Sequence, residues 1–372
     1  MTKQEIKSSE IFDVMETWAP GFLAYNWDNV GLQTGSYHKQ VEKVMITLDV
    51  LESVVDEAID QEVDLIIAHH PLLFKSLKKL DMDDTKGRIL QKLIQHDISV
   101  YAAHTNLDAA EGGVNDMLCD SLGIEDRQTL LPEYTEKLVK VTVYVPNTHA
   151  DEVRNAISES GAGHIGNYSH CTFQTSGQGT FMPLEGTNPY IGTANELEFV
   201  DEVKIESIVP QPKLAPVLNA ITTSHPYEEP AYDIYPMENK GITLGVGRIG
   251  KLKTDVSLKS FGEHVKKMLD IKNLRITGDL SKKIKSVAIL AGSGEKYWEN
   301  ALEMGADVYI TGDMTFHAAQ DAWQAGLSVI DPGHYAEKIM KHATKEFLER
   351  TYHDTELEII VSKVNTDPFQ FI

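Results

Sequence analysis

Leu65-Ile66-Ile67-Ala68-His69-His70-Pro71 decides the fold class, because a short apolar run ends abruptly in two imidazoles and a proline. The run reads as a buried strand, and Pro71 ends it, since proline biases its predecessor away from helix and donates nothing to a sheet ladder. Strand side chains alternate faces, so His69 and His70 can serve one centre only where the backbone leaves the strand.

Outward from this stretch, β-branched runs alternate with amphipathic ones. After an N-terminal helix at Glu10–Thr17 come Val44–Leu48, Leu51–Gln61, Leu65–Ala68, Lys86–Gln95, Ser99–Ala102 and Gly113–Leu122. The rhythm returns at Val287–Leu290, Lys296–Met304, Val308–Ile310, Phe316–Ala325, Ser328–Ile330, Tyr335–Arg350 and Leu357–Val361. Such alternation predicts βαβ units with ligands gathered at the carboxyl ends of strands. His69, His70 and Asp108 fall at such ends, and His334 follows a late strand, with Pro332 and Gly333 marking a helix start. His334 and Glu337 lie three apart and share a helix face.

The middle reads differently. A strand at Leu138–Val145, a helix at Ala150–Ser160, strands near Gly166–Gln174 and Leu197–Ile205, a helix at Pro212–Ser224 and a strand at Ala231–Tyr235 give the order βαββαβ. That is the ferredoxin-like arrangement. The expected fold is therefore α/β: a discontinuous metal-binding domain at 1–134 and 246–372, interrupted by an α+β insert at 135–245.

The length of 372 residues suits two or three domains. With 34 basic and 56 acidic residues the formal charge is −22, which repels phosphate backbones at long range and argues against duplex nucleic acid as a partner. Two cysteines, Cys119 and Cys171, argue against a disulfide framework. No signal core or 18-residue apolar run is present, so a cytoplasmic protein without a membrane partner is expected.

Two adjacent histidines, a carboxylate and a His-x-x-Glu pair suffice for a two-metal centre: imidazole suits zinc or iron, and carboxylates can bridge two ions. Each candidate has a plainer alternative. His69 and His70 can be a polar strand end, Asp108 can cap the helix begun near Gly112, and Glu337 can complement a helix dipole that disfavours a cationic His334. His104 and His317 are candidates for partners that orient the metal ligands, for general acid/base work, or for satisfied buried histidines. Asp313 reads as a helix cap, and Asp28 as an Asx-turn in preference to a cavity-lining residue. Ala291-Gly-Ser-Gly294 is a weak phosphate-cradle signal without the P-loop lysine, and His225-Pro-Tyr-Glu-Glu-Pro230 holds another possible ligand pair, though its prolines favour a stiff turn over a metal site.

Together Trp27-Asp28-Asn29-Val30-Gly31-Leu32, the His-His-Pro segment, His104-Thr-Asn-Leu-Asp108, Thr311-Gly-Asp-Met and Gly333-His-Tyr-Ala-Glu337 resemble the GTP cyclohydrolase 1 type 2 homologue family, also called NIF-three-like. The resemblance spans the chain, in the longer bacterial form whose central domain is similar to PII and CutA proteins. It implies metal ligands at His69, His70, Asp108, His334 and Glu337, and two divalent ions per chain, with zinc first and iron or manganese as alternatives. It also implies a toroidal homohexamer and a small-molecule substrate such as a nucleotide. The expected chemistry is metal-dependent hydrolysis, in the family's namesake case GTP plus water to formate and 7,8-dihydroneopterin triphosphate. The alternatives are a two-metal phosphate-ester hydrolase and a metal-binding regulatory or sensor assembly.

Overall fold

The computed structural model describes residues 5–372. By its internal contacts the chain divides into two units, one comprising the chain up to Tyr134 with Leu244–Ile372, the other Thr135–Thr243. The fold is mixed α/β, and its strands form two mixed sheets.

The first unit opens with α1 (Ser8–Trp18), β1 (Gly31–Thr34), β2 (Lys43–Thr47), α2 (Glu52–Asp60), β3 (Leu65–Ala68), α3 (Thr85–Gln95), β4 (Ser99–Ala102), α4 (Thr105–Ala109) and α5 (Val114–Leu122). The strand β5 (Ile124–Pro146) leads into the second unit, which adds α6 (Ala150–Glu159), β6 (Thr172–Phe181), β7 (Glu198–Pro210) and α7 (Leu214–Ser224). Returning through β8 (Tyr232–Ser257), the chain continues with α8 (Leu258–Met268), β9 (Arg275–Thr277), β10 (Lys283–Ser293), α9 (Trp298–Glu303), β11 (Val308–Gly312), α10 (Phe316–Gln324), β12 (Ser328–Asp331), α11 (Ile339–Thr351) and β13 (Glu358–Val361).

In the first unit, one sheet runs β1-β4-β3-β2-β13, with β4, β3, β2 and β13 parallel and β1 antiparallel at the edge. The parallel strands β2, β3 and β4 are buried on both faces, which is why they read as continuous apolar runs. Met45, Ile66, Ala68 and Val100 pack with Val54 and Val55 of α2 and Leu90 and Leu93 of α3. The alternate residues Val44, Ile46, Leu65, Ile67 and Tyr101 join the larger core with Ile11 and Met15 of α1. The late strands run β8-β10-β11-β12-β9, parallel from β10 to β12 and flanked by antiparallel β8 and β9.

In the second unit the strand order is β6-β7-β5-β8. The β5–β7 and β6–β7 pairs are antiparallel. Val153 and Ile157 of α6 and Val217 and Ile221 of α7 close its core over Val139, Val141, Val143 and Ile205.

A buried ion pair ties β8 to α5. Arg248 donates to both Asp116 carboxylate oxygens, at 3.0 and 2.8 Å, and to the carbonyls of Gly245, Gly247 and Ala110. Breaking a buried pair from one side leaves an uncompensated charge. Arg248→Ala is therefore expected to cost about 3 kcal/mol, read as a lower urea midpoint at unchanged slope. A loss under about 1 kcal/mol would place this pair with exposed surface bridges.

Candidate metal centre

The parallel strands β2, β3 and β4 end at one edge, and each delivers a polar side chain just beyond its last ladder residue. After β2 comes Asp49, after β3 come His69 and His70, and after β4 come His104 and, on α4, Asp108. Past Ala68 the backbone bends while His69 N and His70 N still donate to Thr47 O and Leu48 O. Both rings thus turn toward one centre, their centroids 5.2 Å apart.

From the late segment, β12 ends at Asp331, and Gly333, at φ +83°, opens a 3-10 helix over His334–Lys338. A tight helix with three residues per turn stacks His334 over Glu337 as closely as an α-helix first turn would. Glu337 is buried and the His334 Nε2 to Glu337 Oε2 distance is 3.2 Å. Gly292 lies alongside, where an added Cβ would come within 2.5 Å of Glu337 Oε1.

Glu337 faces both ways. Its Oε2 lies 3.1 Å from His70 Nε2, while its Oε1 lies 3.8 Å from His69 Nε2. Asp108 Oδ1 is 3.7 Å from the same His69 nitrogen. The side chains therefore form two overlapping groups, His69–Asp108–Glu337 and His70–His334–Glu337, each with ligand atoms mutually within 4.8 Å; His69, His70 and His104 form a third.

Each imidazole is held by its other nitrogen. His69 Nδ1 is 2.8 Å from Ala103 O, which requires the proton on Nδ1 and leaves a lone pair on Nε2. His70 Nδ1 is 2.6 Å from Asp49 Oδ1, His334 Nδ1 is 2.7 Å from Asp313 Oδ2, and His104 Nδ1 is 2.9 Å from Asp28 Oδ1. Metal-ligating histidines are commonly oriented this way.

The electrostatics leave a gap that a cation fits. His69 Nε2 and Asp108 Oδ1 are buried without a hydrogen-bond partner. Burial drives His69 below its ordinary range toward the neutral form, and burial together with the Glu337 charge pushes Asp108 well up. At 3.7 and 3.8 Å from the Asp108 and Glu337 oxygens, His69 Nε2 is beyond hydrogen-bond distance of both, and such unpaired groups are costly when buried. In His334, hydrogen bonding to Glu337 outweighs burial and raises the group to about 9. In His70, burial pulls downward, but hydrogen bonds to Asp49 and Glu337 prevail and raise it to about 10. Asp28 loses proton affinity, to about 2, because hydrogen bonds from His104 and Thr105 overcome its burial.

A cavity of about 670 Å³ opens on the cluster, lined by His70, His104, Asp108, His334 and Glu337 together with Trp27, Phe74 and Lys296. That size falls within the range of small-molecule sites.

Several expectations are corrected. His317 does not join the cluster: it lies exposed on the first turn of α10, beside Phe316. Asp313 does not cap α10, since the Thr315 side chain accepts from Ala318 N and Asp313 turns to His334. Asp28 is a tertiary anchor, accepting from Thr105 N and Oγ1 as well as facing His104. In the Ala291–Gly294 loop Ala291 N donates to Asn115 and Gly294 N to Thr311, so neither is available to a phosphate. No correction is needed for His225, read as part of a stiff turn, which spends both ring nitrogens on Tyr144 O and Tyr227 N. Asp49 was missed: it follows β2 by two residues, and its partner His70 lies 21 positions on.

Fold and site together define a mixed α/β protein with a candidate metal-binding His/Glu cluster at its strand ends. Residues 6–368 match the Duf34/NIF3 (NGG1p interacting factor 3) family, and the chain belongs to it. A Halalkalibacterium halodurans protein named GTP cyclohydrolase 1 type 2 homolog is 50% identical over 364 residues, covering 97% of this chain and 98% of the relative. A Bacillus subtilis protein of the same name is 48% identical over 371 residues, covering 99% and 100%. The crystal structure of a Bacillus cereus protein related to NIF3 superposes with a TM-score of 0.92 at 48% identity, covering 100% of both chains. Among the described residues no helix is long and apolar enough to cross a membrane.

Proposed function

We propose that the cluster holds two divalent metal ions, zinc first, with iron or manganese as alternatives, and that the chain is a metal-dependent hydrolase of a small-molecule substrate. The observation that carries this reading is the divided Glu337 carboxylate, one oxygen toward His69 and the other toward His70 and His334, beside two buried polar atoms with no partner. His69, Asp108 and Glu337 would hold one ion, and His70, His334 and Glu337 the other. When bound, such ions supply Lewis acidity and a hydrolytic nucleophile at neutral pH.

The protein's own groups do the rest. Asp49, Asp313 and the Ala103 carbonyl fix the ligand rings, and Asp28 fixes His104 by Nδ1, which leaves its Nε2 free for proton transfer in the cavity. The names of the relatives support GTP as the substrate, with attack at purine C8 giving formate and 7,8-dihydroneopterin triphosphate. Opening that ring needs a proton delivered to nitrogen as its bond to carbon breaks, a role that falls to His104.

Product analysis tests the reaction. Formate from GTP without inorganic phosphate is the expected outcome. Inorganic phosphate without formate would favour in-line attack at phosphorus by the same two-metal clamp.

The second unit we infer to be a ferredoxin-like, PII/CutA-like insert. Its strand order β6-β7-β5-β8, with both helices on one face, supports that reading; none of the cluster residues belongs to it, and we propose a regulatory or sensing role for it. A toroidal homohexamer belongs to the same proposal.

A further inference from the structure

Beside the cluster, the same cavity is lined by Tyr25, Trp27, Phe74 and Lys296. Trp27 is 57% exposed and Phe74 50% exposed, a large apolar area for two adjacent aromatic side chains. Their rings stand 5.7 Å apart, edge to face, and each approaches the His104 ring, at 6.2 and 6.4 Å. Tyr25 stacks on Trp27 at 5.5 Å.

The backbone beneath these exposed rings is fixed. Asn29 Nδ2 donates to Leu73 O at 2.8 Å, and Leu73 N donates to Gln33 Oε1 at 3.0 Å. Gln33, itself buried, donates back to Asn29 O at 2.7 Å. Asp28, next to Trp27, is anchored by Thr105 and His104. The loop carrying Trp27 and the loop carrying Phe74 are thus cross-linked directly under their aromatic residues. Rings held on a preordered frame lose little conformational freedom when a ligand packs on them.

The chemistry that gains most from such a wall is a flat π-system, because ring faces stack and every nucleobase has one. Among the described residues Lys296 is the only Lys or Arg lining this cavity, in a chain of net charge −22. It provides a local counter-charge for an anionic group.

We propose that Trp27 and Phe74 form an aromatic wall on which the planar heteroaromatic part of a nucleotide-class ligand stacks, with its anionic end reaching Lys296. The inference rests on the hydrolytic reading of the same cavity, and it identifies the residues that select the substrate's ring.

Calorimetric titration of the full-length chain with GTP, guanosine and tripolyphosphate tests it. Trp27→Ala and Phe74→Ala are each expected to weaken GTP and guanosine about ten-fold and to leave tripolyphosphate unchanged. Lys296→Ala should weaken GTP and tripolyphosphate and spare guanosine. Trp27→Phe should retain most of the ring affinity. Circular dichroism and bound-metal content should match wild type in all four variants, which separates the aromatic wall from a folding defect. Unchanged guanosine affinity in both alanine variants, an equal fall for tripolyphosphate, or no saturable guanosine binding by wild type would each overturn the wall. Guanosine lost in the variants with neither formate nor inorganic phosphate from GTP in wild type would sink the hydrolytic reading and leave the wall standing. Formate release with guanosine affinity untouched would do the reverse.

Discussion

Glu337→Gln is expected to cut metal-dependent turnover at least 100-fold and to weaken both metal positions together. The amide keeps the volume and can still meet His70 and His334, so the loss reports the charge and the second donor oxygen rather than packing. Changes to groups that merely orient a ligand commonly cost about 10–100-fold in affinity or activity, and Glu337 touches both groups, at 3.1 Å from His70 and 3.8 Å from His69. Asp49→Asn, one step removed through His70 Nδ1, should cost less, on the order of 10-fold. Metal titration followed by formate release measures both. Equal losses in the two variants would mean that Glu337 is not shared.

Metal loading is expected to expel about two protons per chain at neutral pH. His70 and His334 are raised to about 10 and about 9 without metal, so both carry a proton at pH 7, and a ligating imidazole must give it up. Apparent affinity should therefore rise with pH up to about 9, by as much as about 100-fold per unit where both protons are still bound. Asp108, pushed up by burial and by Glu337, can add a third proton. The sign for the metal-free fold is opposite. Groups raised in the folded state contribute stability that is fully present below their unfolded pKa near 6.5 and is lost as pH rises through 9 to 10. The metal-free chain should soften on alkaline titration while the loaded chain does not. Calorimetry in buffers of different protonation enthalpy counts the protons, and a count of zero would mean that the rings are neutral before metal arrives.

Much of this was legible in the chain because the signals were local. β3 and β4 begin and end where their apolar runs do, and α3 and α10 fall within a residue of their amphipathic stretches. What escaped depends on partners far away. β1 and β9 are short antiparallel edges defined by pairing with β4 and β12 rather than by any run of their own. β5 and β8 extend well past the expected Leu138–Val145 and Ala231–Tyr235, through stretches with exposed, polar residues that ladder pairing holds in strand. The α8 helix after β8 was missed, although Ser257 caps it by accepting from Ser260 N.

The site divides the same way. Residues at strand ends and in the His-x-x-Glu pair announce themselves, whereas Asp28, Asp49 and Asp313 act across 76, 21 and 21 positions. Nothing beside them in sequence distinguishes an anchor from a turn or a cap. His317 shows the limit from the other side: its residue type suggested a role in the centre, and it lies exposed on α10 outside the cluster.

Counting bound metal in wild type, Asp108→Asn and His334→Ala, after dialysis against a weak chelator, tests the two-group centre most directly. Two ions per chain in wild type and one in each variant is the expected result, because each substitution removes a ligand from one group and leaves Glu337 to serve the other. A wild-type chain that retains none, or variants that both retain two, would contradict it.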